Sequence, residues 1–187
     1  MTLAELWKLF PITLTTYNPD WSEWADEEIL VLSTLLRDYT PIINHIGSTS
    51  VEGLIAKPII DILLELAGDY DTDAISALLQ KNGWIVMVTN RKEKTLDLNK
   101  GYTPDGFATK IFHLHIKPSG DWGELYFRDY LKAYPEIARQ YETLKLQLKK
   151  QFEYHRDAYT NAKSDFVMKV TQAAREEFAG KYFPIQH

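Results

Sequence analysis

The stretch His45-Ile46-Gly47-Ser48-Thr49-Ser50-Val51-Glu52-Gly53-Leu54-Ile55-Ala56-Lys57-Pro58-Ile59-Ile60-Asp61 decides how this chain folds. Upstream and into it, Pro41 to Ile46 is short, apolar and β-branched, which predicts a strand. Gly47 to Lys57 holds two glycines and several small polar residues, which predicts a loop with one helical turn at most. Pro58 to Leu66 is an almost unbroken apolar run containing Asp61 and Glu65, the pattern of a strand buried on both faces. One strand therefore ends at a Gly-Ser turn, and a second brings in a carboxylate.

Those residue types suit phosphate and metal chemistry. Gly47 lets the backbone approach a ligand closely. Ser48, Thr49 and Ser50 offer hydroxyls beside the loop amides, a set that suits phosphate oxygens. Lys57 can neutralise phosphate charge from the far end of the loop. Asp61 and Glu65 are an even number apart, so on a strand they point to one face. Two carboxylates there can hold Mg²⁺, which prefers oxygen ligands and bridges to phosphates. The alternative is a glycine-bearing connection between core strands, with Asp61 hydrogen-bonded to nearby amides. A carboxylate in so apolar a strand nevertheless costs on the order of several kcal/mol unless it is paired or metal-bound.

Outward from this stretch, a turn at Asn18 to Asp20 leads into helical spacing over Trp21 to Leu36, with a cap expected near Asp20 or Ser22. Tyr70 to Asn82 reads as a helix entered through Asp71 to Asp73 and stopped by Gly83. Trp84 to Thr89, Thr95 to Leu98 and Lys110 to Lys117 read as strands. Lys100 to Ala108, with its glycines and proline, reads as a loop. Beyond the break Pro118 to Asp121, with Asp121 as a cap, Trp122 to Tyr134, Pro135 to Gln151 and His155 to Phe178 read as helices. Pro135 suits a first helical position, and Ile137, Tyr141, Leu144 and Leu148 form the buried stripe. The expected fold is one α+β (mixed α/β) domain over residues 1–187. Its mixed sheet is flanked by helices, with a helical C-terminal third from about residue 122.

His113 and His115 lie two apart on a predicted strand and share a face. They suit two imidazoles on one metal, or one ligand and one general base; the plainer alternative is two histidines hydrogen-bonded on a sheet. His45, just before the turn, can also line the site.

The chain has 187 residues, 45% hydrophobic and 25% charged, ordinary values for a globular domain with a real core. Its net charge of −5 argues against a broad or sequence-specific nucleic-acid surface, yet leaves room for a nucleotide, which needs only local cations. The absence of cysteine excludes disulfides, thiolate metal sites and cysteine nucleophiles. Met1 to Phe10 lacks the basic start and unbroken apolar run of a signal peptide. No window approaches the roughly 20 apolar residues of a spanning helix. These features lead us to expect a cytoplasmic protein with no membrane partner.

His45 to Asp61 resembles the signature of the GrpB family, within the nucleotidyltransferase superfamily. Tyr17-Asn18-Pro19-Asp20-Trp21 resembles the family's N-terminal segment and Phe112 to Ile116 its His-x-His strand. Phe127-Arg128-Asp129-Tyr130-Leu131, Pro135 and Ala158 to Lys163 resemble its C-terminal helices. The resemblance implies a nucleotidyltransferase-like fold. It also implies a Gly-Ser turn on phosphate, a strand reading acid-apolar-acid, and a third acid on a later strand. Gly47, Ser48 and Asp61 match; the second acid falls on Leu63. The implied protein binds a nucleotide and a divalent cation, Mg²⁺ or Mn²⁺, and transfers a nucleotidyl group to a small acceptor. In that scheme Gly47, Ser48, Thr49, Lys57, Arg128 and Lys163 hold phosphate. Asp61, Glu65, His113 and His115 hold the metal, with Asp61 and His115 catalytic. Leu63 favours the rival, a non-catalytic nucleotide- or ligand-binding regulatory module on the same fold.

Overall fold

The computed structural model describes residues 10–182. The expectation drawn from Met1 to Leu9 lies outside that range. Helix α1, Asp20–Leu35, is entered through Asn18 rather than Asp20 or Ser22: its Oδ1 accepts the Asp20 N–H at 3.0 Å. Asn serves as well as Asp in that office, so the preceding turn residue takes it. Strands β1, Ile42–Ile46, and β2, Ile60–Leu66, flank the Gly47 turn, and a single 3₁₀ turn covers Ser48–Ser50. Helix α2, Thr72–Lys81, begins where Asp71 accepts the N–H groups of Asp73 and Ala74, and it is followed by Gly83 at φ +86.

Strand β3 is Ile85–Asn90, β4 Thr95–Thr103 and β5 Gly106–Pro118. The expected loop at Lys100 to Ala108 is instead the end of a long hairpin, turning only at Pro104 and Asp105. Gly101 explains the misreading. It sits at φ +89, and a Cβ there would lie 2.3 Å from the Lys110 carbonyl oxygen. The register shifts between Lys100 and Tyr102, so this glycine marks a bulge inside a strand.

The five strands form one mixed sheet in the order β1-β2-β5-β4-β3, with β2 and β5 parallel and the other pairs antiparallel. The helical third comprises α3, Gly123–Ala133; α4, Pro135–Phe152; α5, Arg156–Asn161; and α6, Ser164–Glu177. Pro135 takes a first-turn position as expected. Asp121 does not cap α3; it pairs with Arg175. The expected single helix from His155 to Phe178 breaks at Ala162-Lys163. No described helix is long and apolar enough to cross a membrane.

Side-chain alternation divides the sheet. Ile60, Ile62, Leu64, Leu96, Leu98, Phe112, Leu114 and Ile116 pack with Trp21, Ala25 and Leu32 of α1 and Ile75 and Leu79 of α2 in the main core. The other face carries Asp61, Asp97, Asn99, His113 and His115. Helix α3 lays Leu125 on Leu63 and Ile46. A further apolar cluster joins Val51 and Leu54 of the loop to Phe127, Leu131, Tyr141 and Val170. The Gly-Ser turn is thereby clamped between the sheet and the helical third.

Candidate functional site

Gly47 is forced by its neighbour. At φ +71 it would direct a Cβ to 2.4 Å from Asp61 Oδ2, so only glycine lets the turn pass the carboxylate. The register pairs Ile46 with Asp61 and Asp61 with His113, setting the acid between the turn and β5. His113 Nδ1 lies 3.3 Å from Asp61 Oδ1. Its Nε2 lies 2.7 Å from the Tyr102 hydroxyl, to which Arg156 donates at 3.2 Å. Nδ1–H thus faces the carboxylate, and Nε2 accepts from the phenol. Burial pushes the Asp61 pKa up, but the hydrogen bond and charge of His113, with His115 and Lys57, outweigh it and hold the pKa below the ordinary value. Thr49 braces the turn by donating to Ile59 O at 3.2 Å, with His45 Nε2 2.9 Å from its hydroxyl oxygen. Burial pushes the His45 pKa down to about 4, so His45 is neutral at ordinary pH.

The helical third supplies a cationic wall. Asp61 opens into a cavity of about 920 Å³ lined by Gly47, Ser48, Thr49, Lys57, His113, Tyr102, Lys145, Arg156, Tyr159 and Lys163, among others. Lys145 is 2% exposed; its Nζ donates to Ser48 Oγ at 3.1 Å and to Ile55 O. The Lys57 and Lys163 ammonium groups lie 5.6 and 4.6 Å from the centre of the Tyr159 ring. Among the described residues, neither has a hydrogen-bond or ion-pair partner. Burial lowers the Lys57 pKa to about 7, helped by Lys163 and Arg156. It likewise lowers Lys145 to about 7, with Lys163 and Lys57 adding to the effect. For Lys163, burial outweighs the attraction of Asp61 and brings it to about 8. The buried Tyr159 hydroxyl has no hydrogen-bond partner among the described residues. Phe10, Ile85, Met87 and Pro104 give the same cavity an apolar rim.

The residues expected to hold a divalent cation do not fit one. Glu65 is four residues from Asp61, roughly 13 Å along a strand, and its carboxylate accepts the Gly120 N–H at 3.1 Å. His115 Nδ1 lies 2.6 Å from Asp97, and His115 is not part of the cavity lining. Leu63, at the second acidic position, is fully buried against Ile46 and Leu125. Among the described residues, no three His, Asp or Glu side chains group closely enough for a metal ion. Arg128, expected on phosphate, instead ties α3 to β1. It donates to Asn44 Oδ1 and His45 O at 3.2 and 3.1 Å and pairs with Asp129 at 2.8 Å.

A family model described as GrpB protein matches residues 11–173. The chain belongs to the GrpB family. It is 30% identical to the glutamate-rich protein GrpB of Alkalihalophilus pseudofirmus over 162 residues, 85% of this chain and 93% of that one. Identity is also 30% with the UPF0157 protein YqkA of Bacillus subtilis, over 96% of this chain; the match spans only 52% of YqkA, about half its length. The crystal structure of GrpB from Enterococcus faecalis superposes with a TM-score of 0.75 and 31% identity, covering 89% of this chain and 99% of that one. The Cid1 poly(U) polymerase gives a TM-score of 0.47 at 13% identity over 80% of this chain, too slight to carry function across.

In this GrpB-family chain the cavity gathers Gly47, Ser48, Thr49, Lys57, Asp61, His113 and Lys163 from the expected set, and leaves Glu65, His115 and Arg128 outside its lining. Sequence reasoning passed over Lys145, Arg156, Tyr102 and Asp97. Lys145 had a readable signal: it lies four residues after Tyr141, within the span of the buried stripe, where a lysine needs a reason. Tyr102 was hidden by the loop assigned to its hairpin. Arg156 sits in the short helix that the unbroken reading of His155 to Phe178 concealed.

Proposed function

We propose that the protein binds a nucleotide or similarly phosphorylated small molecule in this cavity. The observation that carries the reading is convergence. Lys57, Lys145, Lys163 and Arg156 meet the Gly47-Ser48 turn in one cavity, although the chain as a whole is acidic. The ammonium groups suit phosphate oxygens. The rim of Phe10, Ile85, Met87 and Pro104 suits a base or another flat apolar group. This is the binding-module reading of the fold, and the buried Leu63 favours it.

One observation favours nucleotidyl transfer as a second reading. Asp61 orients His113, and the ring's other nitrogen meets Tyr102 in the cavity, an arrangement of base and orienting acid. In that reading an acceptor hydroxyl would displace Tyr102 from His113 Nε2 and give up its proton there as its oxygen bonds to the α-phosphorus, while the bond from that phosphorus to the β-phosphate oxygen breaks and pyrophosphate leaves.

A thermal-shift and calorimetric series tests the binding reading. Nucleoside triphosphates should raise the melting temperature by mass action, and the parent nucleosides should raise it far less. Lys163→Ala should weaken triphosphate binding at least about tenfold, the worth of one hydrogen bond between charged groups. Equal shifts with nucleoside and triphosphate, or unchanged affinity in Lys163→Ala, would count against the phosphate assignment.

A further inference from the structure

We propose that this cavity takes a polyphosphate as the free anion, with Lys57, Lys145, Lys163 and Arg156 supplying the charge neutralisation that a divalent cation would otherwise bring. The inference rests on the phosphate reading of the cavity and adds the chemical form of the ligand.

Two sets of side chains carry it. The first is the donor set for a metal, which is dispersed. Asp61 already faces His113, Glu65 holds the Gly120 N–H, and His115 faces Asp97. The position two residues after Asp61 on the same face is a leucine with no exposure, walled in by Ile46 and Leu125. No rearrangement of that side chain brings an oxygen. Mg²⁺ demands near-ideal octahedral oxygen coordination, and one engaged carboxylate is a poor anchor for it.

The second set is the cations, which are concentrated. Four cationic side chains line the cavity against two carboxylates, Asp61 and Asp157. Among the described residues Lys57 and Lys163 have no hydrogen-bond or ion-pair partner and lie against the Tyr159 ring, with Asp61 as the nearby counter-charge, and Lys145 is fixed on the Ser48 hydroxyl at the turn. Buried cations without anions are costly, and an arriving polyphosphate relieves that cost directly. A polyphosphate already complexed with Mg²⁺ brings two positive charges of its own. It would relieve less and meet more repulsion.

Charge on these lysines is pH-sensitive, which gives the proposal a second readout. Lys57 faces Lys163, Arg156 and Asp61; Lys145 faces Lys163, Glu142 and Lys57; Lys163 faces Asp61 and Arg156. Their pKa values, lowered mainly by burial to about 7, about 7 and about 8, mean that Lys57 and Lys145 are about half protonated at pH 7 and that all three are largely neutral by pH 9. A phosphate monoester completes its own ionisation lower, near a pKa of about 6. Affinity for the free anion should therefore fall across that range, with proton uptake on binding near pH 8.

Calorimetry of the full chain with inorganic tripolyphosphate and with ATP, once in EDTA and once with excess Mg²⁺ or Mn²⁺, decides the matter. The expected result is binding in EDTA at least as tight as with the metal. In EDTA, Lys145→Met and Lys163→Met, which keep most of the packing, should each weaken it at least about tenfold. Circular dichroism and melting checks establish that both variants fold, and Lys110→Met, outside the cavity, serves as the neutral control. Binding that requires Mg²⁺ or Mn²⁺ overturns the inference and leaves the phosphate reading standing. No binding in either condition overturns both.

Discussion

On β2, β4 and β5, adjacent residues of the same strand answer to different requirements. Ile60, Ile62, Leu64, Leu96, Leu98, Phe112, Leu114 and Ile116 point one way into a continuous apolar core. Asp61, Asp97, Asn99, His113 and His115 point the other way, into hydrogen bonds and a cavity. The first face pays no attention to chemistry and can be filled with any well-packed aliphatic set. The second depends on each polar group finding a partner, because an unpaired buried polar atom is costly. Leu63 is where the rules cross. It lies on the polar face but follows the packing rule, because α3 lands there with Leu125. The helix that closes the sheet thus occupies the position of the second acid.

The largest test of this division sets Leu114 against its neighbour His113. Leu114 is fully buried, and Leu114→Ala should cost about 2–5 kcal/mol in urea unfolding. His113→Ala should cost about 1–2 kcal/mol, the penalty for leaving Asp61 without its hydrogen bond and Tyr102 with Arg156 alone in a partly open site. A nucleotide-induced thermal shift should persist in the first variant and be altered in the second. The reverse order of stability costs would break the comparison.

Much of the division was legible in the sequence, and the limits have physical causes. The period of two put Asp61 with Glu65 on one face of β2 and His113 with His115 on one face of β5, and the Gly47-Ser48 turn announced a close approach; that the two faces coincide follows only from the parallel register of the strands. Glycine misled at residue 101, since a glycine in a bulge and a glycine in a loop look alike until the opposing Lys110 carbonyl is known. Asp61 and Glu65 do share a face, but a strand's rise of about 3.3 Å per residue separates them too far for one ion. His113 and His115 part company because β4 offers each a different neighbour, Asn99 to one and Asp97 to the other. Of the cationic wall, Lys57 and Lys163 were named from the sequence and Lys145 and Arg156 were not. Those two come from helices distant in sequence, and their facing inward is set by how α4 and α5 dock.

A smaller effect isolates the contact between turn and acid. Gly47 and Gly53 both have positive φ, +71 and +77, but a Cβ on Gly53 meets nothing within 4 Å, whereas one on Gly47 strikes Asp61. Gly53→Ala should cost about 1 kcal/mol from backbone strain alone, and Gly47→Ala about 1–3 kcal/mol, with phosphate binding lost as well. Adding Asp61→Ala to Gly47→Ala should recover part of the stability difference. Equal costs for the two glycine substitutions would show that the turn does not press on the acid.

The smallest expected effect concerns the pair beside the cavity, Asp97 and His115, and asks whether the whole polar face belongs to the site. Burial pushes the His115 pKa down, but the Asp97 hydrogen bond and the charges of Asp61 and Asp97 outweigh it and raise it above the ordinary value. The hydrogen bond from His115 lowers the Asp97 pKa despite burial. A raised histidine stabilises fully below its unfolded pKa of about 6.5 and loses that contribution as pH rises through the folded value. A lowered aspartate stabilises above about 3.9 and loses its contribution as pH falls through the folded value. Asp97→Asn should therefore cost most between those limits, by less than about 1 kcal/mol because both side chains are partly open to solvent, at 47% and 33% exposure. The gap between wild type and variant should close above the folded pKa of His115. NMR titration of the His115 ring should show its pKa falling in the variant, while phosphate affinity stays within about twofold, as expected of a site outside the cavity lining. A larger loss of affinity would enlarge the functional face to include this pair, and with it the row of the sheet that Leu63 now fills.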